Sequence, residues 1–406
     1  MKGALDGVRI LDLTTVGFGP YATQLLGDYG ADVVKVEPPA GDITRGIGPF
    51  RNPGMGHFFL GANRNKRNLV LDLKDARARD ALMKVAANSD VVITSVRPAA
   101  MARLGLAYED FVAVRPDIIY VALVGFGQDG PYAARPAYDD VIQGTSGMAD
   151  MQGGRSGVPQ MVKASICDKI CSQFATHATL AALFHRERTG EGQFVEVPML
   201  ESMVGFNLVE HHAGGSFKPP LGPMGYDRTM AEHRRPYATK DGFVCVLPYN
   251  EKQWKAFFVL MGRDEMVDDI RINDAKVRSE RIGELYEMVA ELVADWTSEA
   301  LLEALENADV PNGRSVPLAE LAEDPHLAAV KLIEEVDHPS EGTIKMVRPS
   351  VKMSKSPASI RSLPESLGER SVEVLSEAGV SKSEIDTLLE AGITIDGRQQ
   401  AREAAE

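Results

Sequence analysis

The first forty residues constrain this chain more than any other stretch of it. Val8-Arg-Ile-Leu-Asp12 reads as a short strand that runs through Leu-Thr-Thr-Val-Gly-Phe-Gly into Pro20. Proline suits the first helical position, because the N–H it lacks would be unpaired there anyway. A helix is predicted over Tyr21–Tyr29, stopped by Gly30, and Asp32-Val-Val-Lys-Val-Glu37 gives the next strand. Strand, helix and strand in so short a span imply two parallel strands joined by a crossover helix. The alternation continues, with strands predicted over Asn68–Leu73, Asp90–Thr94, Ile118–Val124 and Phe194–Met199 and helices over Asp75–Asn88 and Ser165–Glu187. The fold class is therefore α/β, a mostly parallel Rossmann-like sheet covered by helices on both faces, with ligands expected beyond the carboxyl ends of the strands.

That pattern breaks at Gly214. The twelve residues from Gly214 to Gly225 carry four glycines and three prolines and read as a linker. Beyond it, Arg235–Leu247 has a hairpin signature with Lys240-Asp241-Gly242 at the turn, and helices are predicted over Glu251–Leu260 and Ser279–Trp296. This is the composition of a smaller α+β domain. Lys345–Ser362 reads as irregular, short helices are expected over Ser371–Ala378 and Ser381–Ala391, and the tail after Gly397 is expected to fray. A length of 406 residues with 44% hydrophobic side chains suits two or three domains with sizeable cores.

Charge and cysteine usage exclude several classes of function. A net charge of −14 repels nucleic-acid phosphates and anionic lipid over most of the surface, so neither a nucleic acid nor a membrane is expected as partner. Three cysteines cannot form a disulfide framework, and no secretory h-region or long uncharged apolar run is present, which makes the cytoplasm the expected compartment.

Candidate chemistry comes from five places. Gly125-Phe-Gly-Gln-Asp-Gly130 has dinucleotide-loop spacing after a strand, but Pro136 interrupts the helix that such a loop should open, and no acidic residue ends a strand twenty positions on. Val16-Gly17-Phe18-Gly19-Pro20 offers backbone N–H groups at a helix start, suited to an anion, or forms a tight turn and nothing more. Arg64, Lys66, Arg67, Lys74, Arg97 and Arg103 are basic residues that either neutralise a polyanionic ligand or are solvated surface charges. Cys167 and Cys171 share a helix face, but His177 lies too far round to complete a site; His211-His212 is equally weak, and no metal is expected. HExxH, P-loop and GxSxG motifs are absent. Asp168, near the start of an apolar helix in Ser165-Ile-Cys-Asp-Lys-Ile-Cys171, is either a helix-initiating aspartate or a carboxylate able to attack a thioester.

These segments together resemble those of the class III coenzyme A transferases, the family of formyl-CoA transferase, the carnitine CoA-transferases and α-methylacyl-CoA racemase. The resemblance runs almost end to end. It is carried by Leu5-Asp-Gly-Val-Arg-Ile-Leu-Asp12, Gly19-Pro20, Gly30-Ala-Asp-Val-Val-Lys-Val-Glu37, Gly41-Asp42 with Thr44-Arg45, Asn65-Lys-Arg67 and Leu71-Asp-Leu-Lys74. Downstream it continues in Gly125-Phe-Gly-Gln-Asp-Gly-Pro131, Tyr138-Asp139, Ser146-Gly147, Asp168, Arg188-Thr-Gly-Glu-Gly-Gln193 and Asp324-Pro-His326.

The resemblance implies that Asp168 is the covalent nucleophile of a CoA-transferase acting through an aspartyl-CoA intermediate. It places coenzyme A, as substrate and not as a tightly bound cofactor, at Val16, Leu71, Lys74 and Arg103, and makes acyl-CoA and carboxylic acids the partners. It implies an interlocked homodimer, with a large Rossmann-like domain formed by residues 1–213 and the returning segment 331–406 and a small domain within 214–330. Three departures narrow it. Gly17 replaces a glutamine of formyl-CoA transferase and no glycine run occurs in the small domain, which speaks against formate or oxalate. Ala137-Tyr138-Asp139 replaces the Gly-His-Asp of the racemases, and a phenol with a pKa of about 10 is a poor base near neutrality, which favours transfer over racemisation. A non-catalytic acyl-CoA binding protein is the remaining alternative.

Overall fold

The structure, a computed structural model, describes residues 2–154 and 157–399, so residues 400–406 of the tail expected to fray lie outside the described residues. The chain divides into two compact units. The first gathers Met1–Ser146, Lys163–Val204 and Ala328–Glu406; the second gathers Gly147–Val162 and Gly205–Leu327.

The first unit is built on β1 (Arg9–Leu13), α1 (Phe18–Asp28), β2 (Asp32–Glu37), α2 (His57–Ala62), β3 (Lys66–Val70), α3 (Ala76–Ala87), β4 (Val91–Thr94), α4 (Pro98–Leu104), α5 (Tyr108–Val114), β5 (Ile119–Val124) and α6 (Asp139–Thr145). After α7 (Met148–Gly153), in the second unit, come α8 (Ile166–Thr189), β6 (Phe194–Pro198) and α9 (Met199–His211). The sheet order is β3-β2-β1-β4-β5-β6 and every neighbouring pair is parallel. That is the doubly wound order, and the direction in which strands are added to the sheet reverses between β1 and β4, where the loops leaving the two strands part and open a crevice. All six residues of β5 are buried, as a strand covered on both faces requires. Leu11, Val34, Leu69, Val92 and Tyr120 pack with Leu82 of α3 and with Leu375 and Leu388, so the returning C-terminal segment completes one face of the sheet.

Three expectations shift. The third strand covers Lys66–Val70 and not Asn68–Leu73: it starts earlier because Lys66 and Arg67 are paired with Asp12 and Asp32 on the neighbouring strands, which hydropathy cannot register. The helix after the first loop begins at Phe18, which makes Pro20 its third residue, still in the turn where a missing N–H costs nothing. The segment expected to be irregular from Lys345 begins inside a strand: β10 (Ile333–His338) and β11 (Gly342–Val347) form an antiparallel hairpin. Only His338 and Met346 of its twelve strand residues are buried, so the alternation that marks a strand is faint.

In the second unit, β7 (Tyr237–Ala238), β8 (Phe243–Val246) and β9 (Asn312–Arg314) form an antiparallel sheet. Trp254, Phe257, Phe258 and Tyr286 pack under it, contributed by the helices over Glu251–Leu260 and Ile282–Val293. Among the described residues no helix is long and apolar enough to cross a membrane.

Candidate active site

Helix α8 carries Asp168 as its third residue and lies against α1 along a face of small side chains. Cys171, Ser172, Ala175, Thr176 and Thr179 are all buried there. The Ser172 hydroxyl donates to the Phe18 carbonyl oxygen at 2.6 Å, fixing the start of α8 to the start of α1. The close approach has a direct consequence at Gly17. A methyl group added to its Cα would sit 2.5 Å from Asp168 Oδ2, so glycine alone leaves the carboxylate where it stands. Gly17 itself has φ −113°, so the requirement is space and not backbone freedom. Its neighbour Val16 has φ +70°, a conformation that costs a β-branched residue dearly and is found where a structure holds it in place.

Asp168 sits where a helix dipole favours a carboxylate, yet its pKa is pushed up to about 7. Burial is the main cause, and the carboxylates of Asp139 and Asp140 add to it; Lys169 works weakly the other way. Asp139 is held in that place by contacts on both of its oxygens. Its Oδ1 accepts the Asp168 N–H at 2.9 Å, and its Oδ2 accepts the Gln143 side-chain amide at 2.6 Å. Cys167 next door is pushed up to about 12 by burial and the same carboxylates, which leaves it an inert thiol.

Across the loop, beneath β1 and β2, every buried charge has a partner. Asp12 Oδ2 accepts from Lys66 Nζ at 3.1 Å and from the Thr23 hydroxyl at 2.6 Å, and Lys66 also donates to Pro20 O and Asn63 Oδ1, both at 2.8 Å. Lys35 Nζ donates to Thr14 O at 2.9 Å and to Asp42 Oδ2 at 3.0 Å. Glu37 takes both arms of Arg45, at 2.7 and 2.9 Å. Burial pushes Asp12 and Asp42 upward, but the ammonium groups beside them outweigh it and hold both carboxyls below their usual range.

A cleft of about 300 Å³ opens at the β1–β4 switch point and brings together Asp168, Val16, Gly17, Arg97, Arg135 and Met199. In α1's first turn, Phe18 and Gly19 carry backbone N–H groups with no hydrogen-bond partner among the described residues, and Pro20 has none to offer. Of the sequence-derived contact residues, Val16 lines this cleft with Asp168. Leu71, Lys74 and Arg103 do not line it. Leu71 is buried in the core just past β3, while Lys74 and Arg103 are exposed beyond β3 and on α4.

The six basic residues named from the sequence part company. Arg64 is locked onto Asp28, Lys66 onto Asp12, and Arg67 onto Asp32 and Glu377, so these three are framework and not ligand-binding charges. Lys74, Arg97 and Arg103 are exposed and make no ion pair among the described residues. The Gly125–Gly130 loop is spent internally: Glu201 accepts the Gly127 N–H at 2.9 Å and Glu196 the Gln128 N–H at 3.1 Å, leaving neither donor free for a phosphate. Among the described residues no cluster of His, Cys, Asp or Glu is arranged to hold a metal ion. Sequence reasoning did not single out Asp139 or Gln143 as site residues; Asp139 entered only within the resemblance, in Tyr138-Asp139 and Ala137-Tyr138-Asp139, and Gln143 not at all.

Comparison with known proteins gives one consistent result. The model of CoA-transferase family III matches residues 5–371. The succinyl-CoA:glutarate CoA-transferase of Mus musculus is 31% identical over 393 residues, covering 96% of this chain and 90% of that protein. The formyl-CoA:oxalate CoA-transferase of Streptomyces avermitilis is 32% identical over 415 residues, covering 97% of this chain and 100% of that protein. A CaiB/BaiF family protein from Brucella suis superposes with a TM-score of 0.79 at 28% identity, covering 93% of this chain and 100% of that structure.

Proposed function

This chain belongs to CoA-transferase family III and is an enzyme that transfers coenzyme A, and from that premise we propose that Asp168 is the group that carries the acyl and CoA moieties in turn. The observation that bears this reading is the carboxyl of Asp168 in the switch-point cleft, raised to about 7 and pressed against Gly17. The Asp168 carboxylate attacks the carbonyl of the donor thioester, forming an aspartyl–acyl anhydride and releasing CoA thiolate. The thiolate attacks the aspartyl carbonyl carbon, expelling the donor acid and leaving an aspartyl-CoA thioester. The acceptor carboxylate then attacks that thioester, and the freed thiolate takes the acceptor acyl group from the second anhydride, restoring Asp168. No proton is gained or lost over the cycle, so the site needs an ionised Asp168 and donors for each oxyanion. The unpaired Phe18 and Gly19 N–H groups are suited to the second task.

Val16 and the exposed cations Lys74 and Arg103 hold coenzyme A in this reading, with Leu71 at the turn that presents Lys74. The acceptor is a carboxylic acid, and dicarboxylic acids are the first to try, since the relatives above are named for glutarate and oxalate. No histidine lines the cleft among the described residues, which supports transfer over racemisation. The same reading makes the protein a cytoplasmic, interlocked homodimer, with residues 1–213 and 331–406 as the CoA-binding domain; light scattering gives the dimer mass or overturns that part. The decisive experiment incubates the enzyme with succinyl-CoA or acetyl-CoA and a panel of acids, detects new thioesters by mass, and traps the enzyme with hydroxylamine. A hydroxamate on Asp168 is the expected result, and an adduct on any other residue sinks the assignment.

A further inference from the structure

We propose that the buried Lys35–Asp42 pair is a positioning device for the site: it holds Val16 in its left-handed conformation and thereby seats Gly17 and the first turn of α1 against Asp168. The inference rests on the reading of Asp168 as nucleophile.

A β-branched residue at φ +70° is strained and returns to extended backbone unless something holds it. The restraints are all here. Lys35 Nζ grips the carbonyl of Thr14 at 2.9 Å, Ser95 Oγ accepts the Thr15 N–H at 3.1 Å, and the Val16 N–H donates to both oxygens of Asp42 at 3.3 and 3.4 Å. Three consecutive residues of the loop are therefore tied down, two of them by the one pair. Asp42 has little freedom of its own. Its Oδ1 accepts from the N–H and hydroxyl of Thr44 at 3.0 and 2.8 Å, and its backbone N–H donates to Glu37 Oε2 at 2.6 Å. Lys35 and Asp42 are respectively 1% and 0% exposed at their side chains and neither lines the cleft, so they act only through the loop. A pair buried this deeply is a poor source of stability compared with apolar side chains of the same size, because desolvation consumes most of its attraction. Its worth lies in geometry: it supplies two fixed attachment points, a donor and an acceptor, to a backbone that would otherwise relax.

The test is a double-mutant cycle between Asp42→Ala and Val16→Gly, since glycine accepts φ +70° without strain and removes the need for a restraint. With Val16 present, Asp42→Ala is expected to lower kcat for transfer and the rate of Asp168 acylation by about tenfold or more, with the Kd for CoA changed less than about threefold. In the Val16→Gly background the same substitution is expected to cost less than about threefold in either rate. Equal losses in the two backgrounds, or undiminished transfer by folded Asp42→Ala enzyme, overturn the proposal. Lys35→Met, which releases the Thr14 carbonyl and leaves Asp42 without its ammonium, carries the same comparison if the alanine variant does not fold. Failure of the underlying reading looks different, because the native enzyme then gives no Asp168 adduct whatever the loop variants do.

Discussion

Asp12 and Asp168 both lie toward the carboxyl ends of the same sheet, and burial pushes both carboxyls toward the neutral form. They end on opposite sides of the usual carboxylate range. Asp12 has Lys66 and Lys35 beside it and two hydroxyls donating to it, and stays below that range. Asp168 has the carboxylates of Asp139 and Asp140 nearby and rises to about 7. The lesson is that depth alone does not mark a working group in this fold: a buried charge with its full set of partners is framework, and a buried charge set beside its own kind is chemistry. Substitutions should therefore separate the two walls of the cleft cleanly, one losing rate and the other losing stability.

The largest effect expected is Asp168→Asn, which keeps the shape and removes the nucleophile. Transfer should fall on the order of a thousandfold or more in the coupled assay. Thermal unfolding at pH 8 should move up and not down, because an ionised carboxylate is being removed from a site that penalises it. A matched fall in rate and stability would erase the contrast with Asp12. On the other wall, Lys66→Met strips Asp12 of the one ammonium that hydrogen-bonds it and leaves only the more distant Lys35. Denaturant titration should show a loss of about 3–5 kcal/mol, the usual toll of leaving one half of a buried pair uncompensated. A loss below about 1 kcal/mol would mean that the network is not the framework it resembles.

Between these lies Gly17→Ala. Its φ of −113° suits alanine, so the backbone has no objection, but the new methyl falls 2.5 Å from Asp168 Oδ2 and one of the two must move. A displacement of that order should cost about tenfold to a hundredfold in kcat with little change in the unfolding midpoint. An alanine enzyme of native rate would show that the carboxylate tolerates a wider seat.

The same contrast explains what could be read from the sequence. The βαβ opening, the parallel sheet and the long helix carrying Asp168 follow from runs of apolar residues and from glycine and proline punctuation, which are local signals. The start of β3 was hidden because Lys66 and Arg67 look like loop residues until Asp12 and Asp32, distant in sequence, are placed beside them. For the same reason Arg64 and Arg67 resembled a site for a polyanion when they are ties to Asp28 and Asp32. Asp168 was legible as a helix-initiating acid and, through the resemblance, as a nucleophile. The carboxylate that raises it, Asp139, stands 29 residues away and meets it only through the fold.

The smallest and most discriminating effect concerns that carboxylate. With Asp168 raised from 3.8 to about 7, the folded enzyme holds a proton that the unfolded chain has already released between those two values. Stability owed to this group therefore declines as pH climbs through that window and reaches its full penalty above about 7, the reverse of a salt-bridged aspartate. Rate runs the other way, since only the ionised form attacks: kcat/KM should rise with pH to a plateau above about 7. Asp139→Asn keeps an oxygen to accept the Asp168 N–H while a negative charge is lost; the Gln143 amide, which donates to Asp139 Oδ2 and also to the Ala164 carbonyl at 3.2 Å, gives up the first of these acceptors. The limb should move to lower pH by about one unit, and no further, because burial is the larger cause and remains. Titrating kcat/KM for both enzymes between about pH 5 and 9 decides it. A limb that stays in place would assign the whole displacement to burial and strip Asp139 of its electrostatic part, leaving it as an acceptor for the first turn of α8.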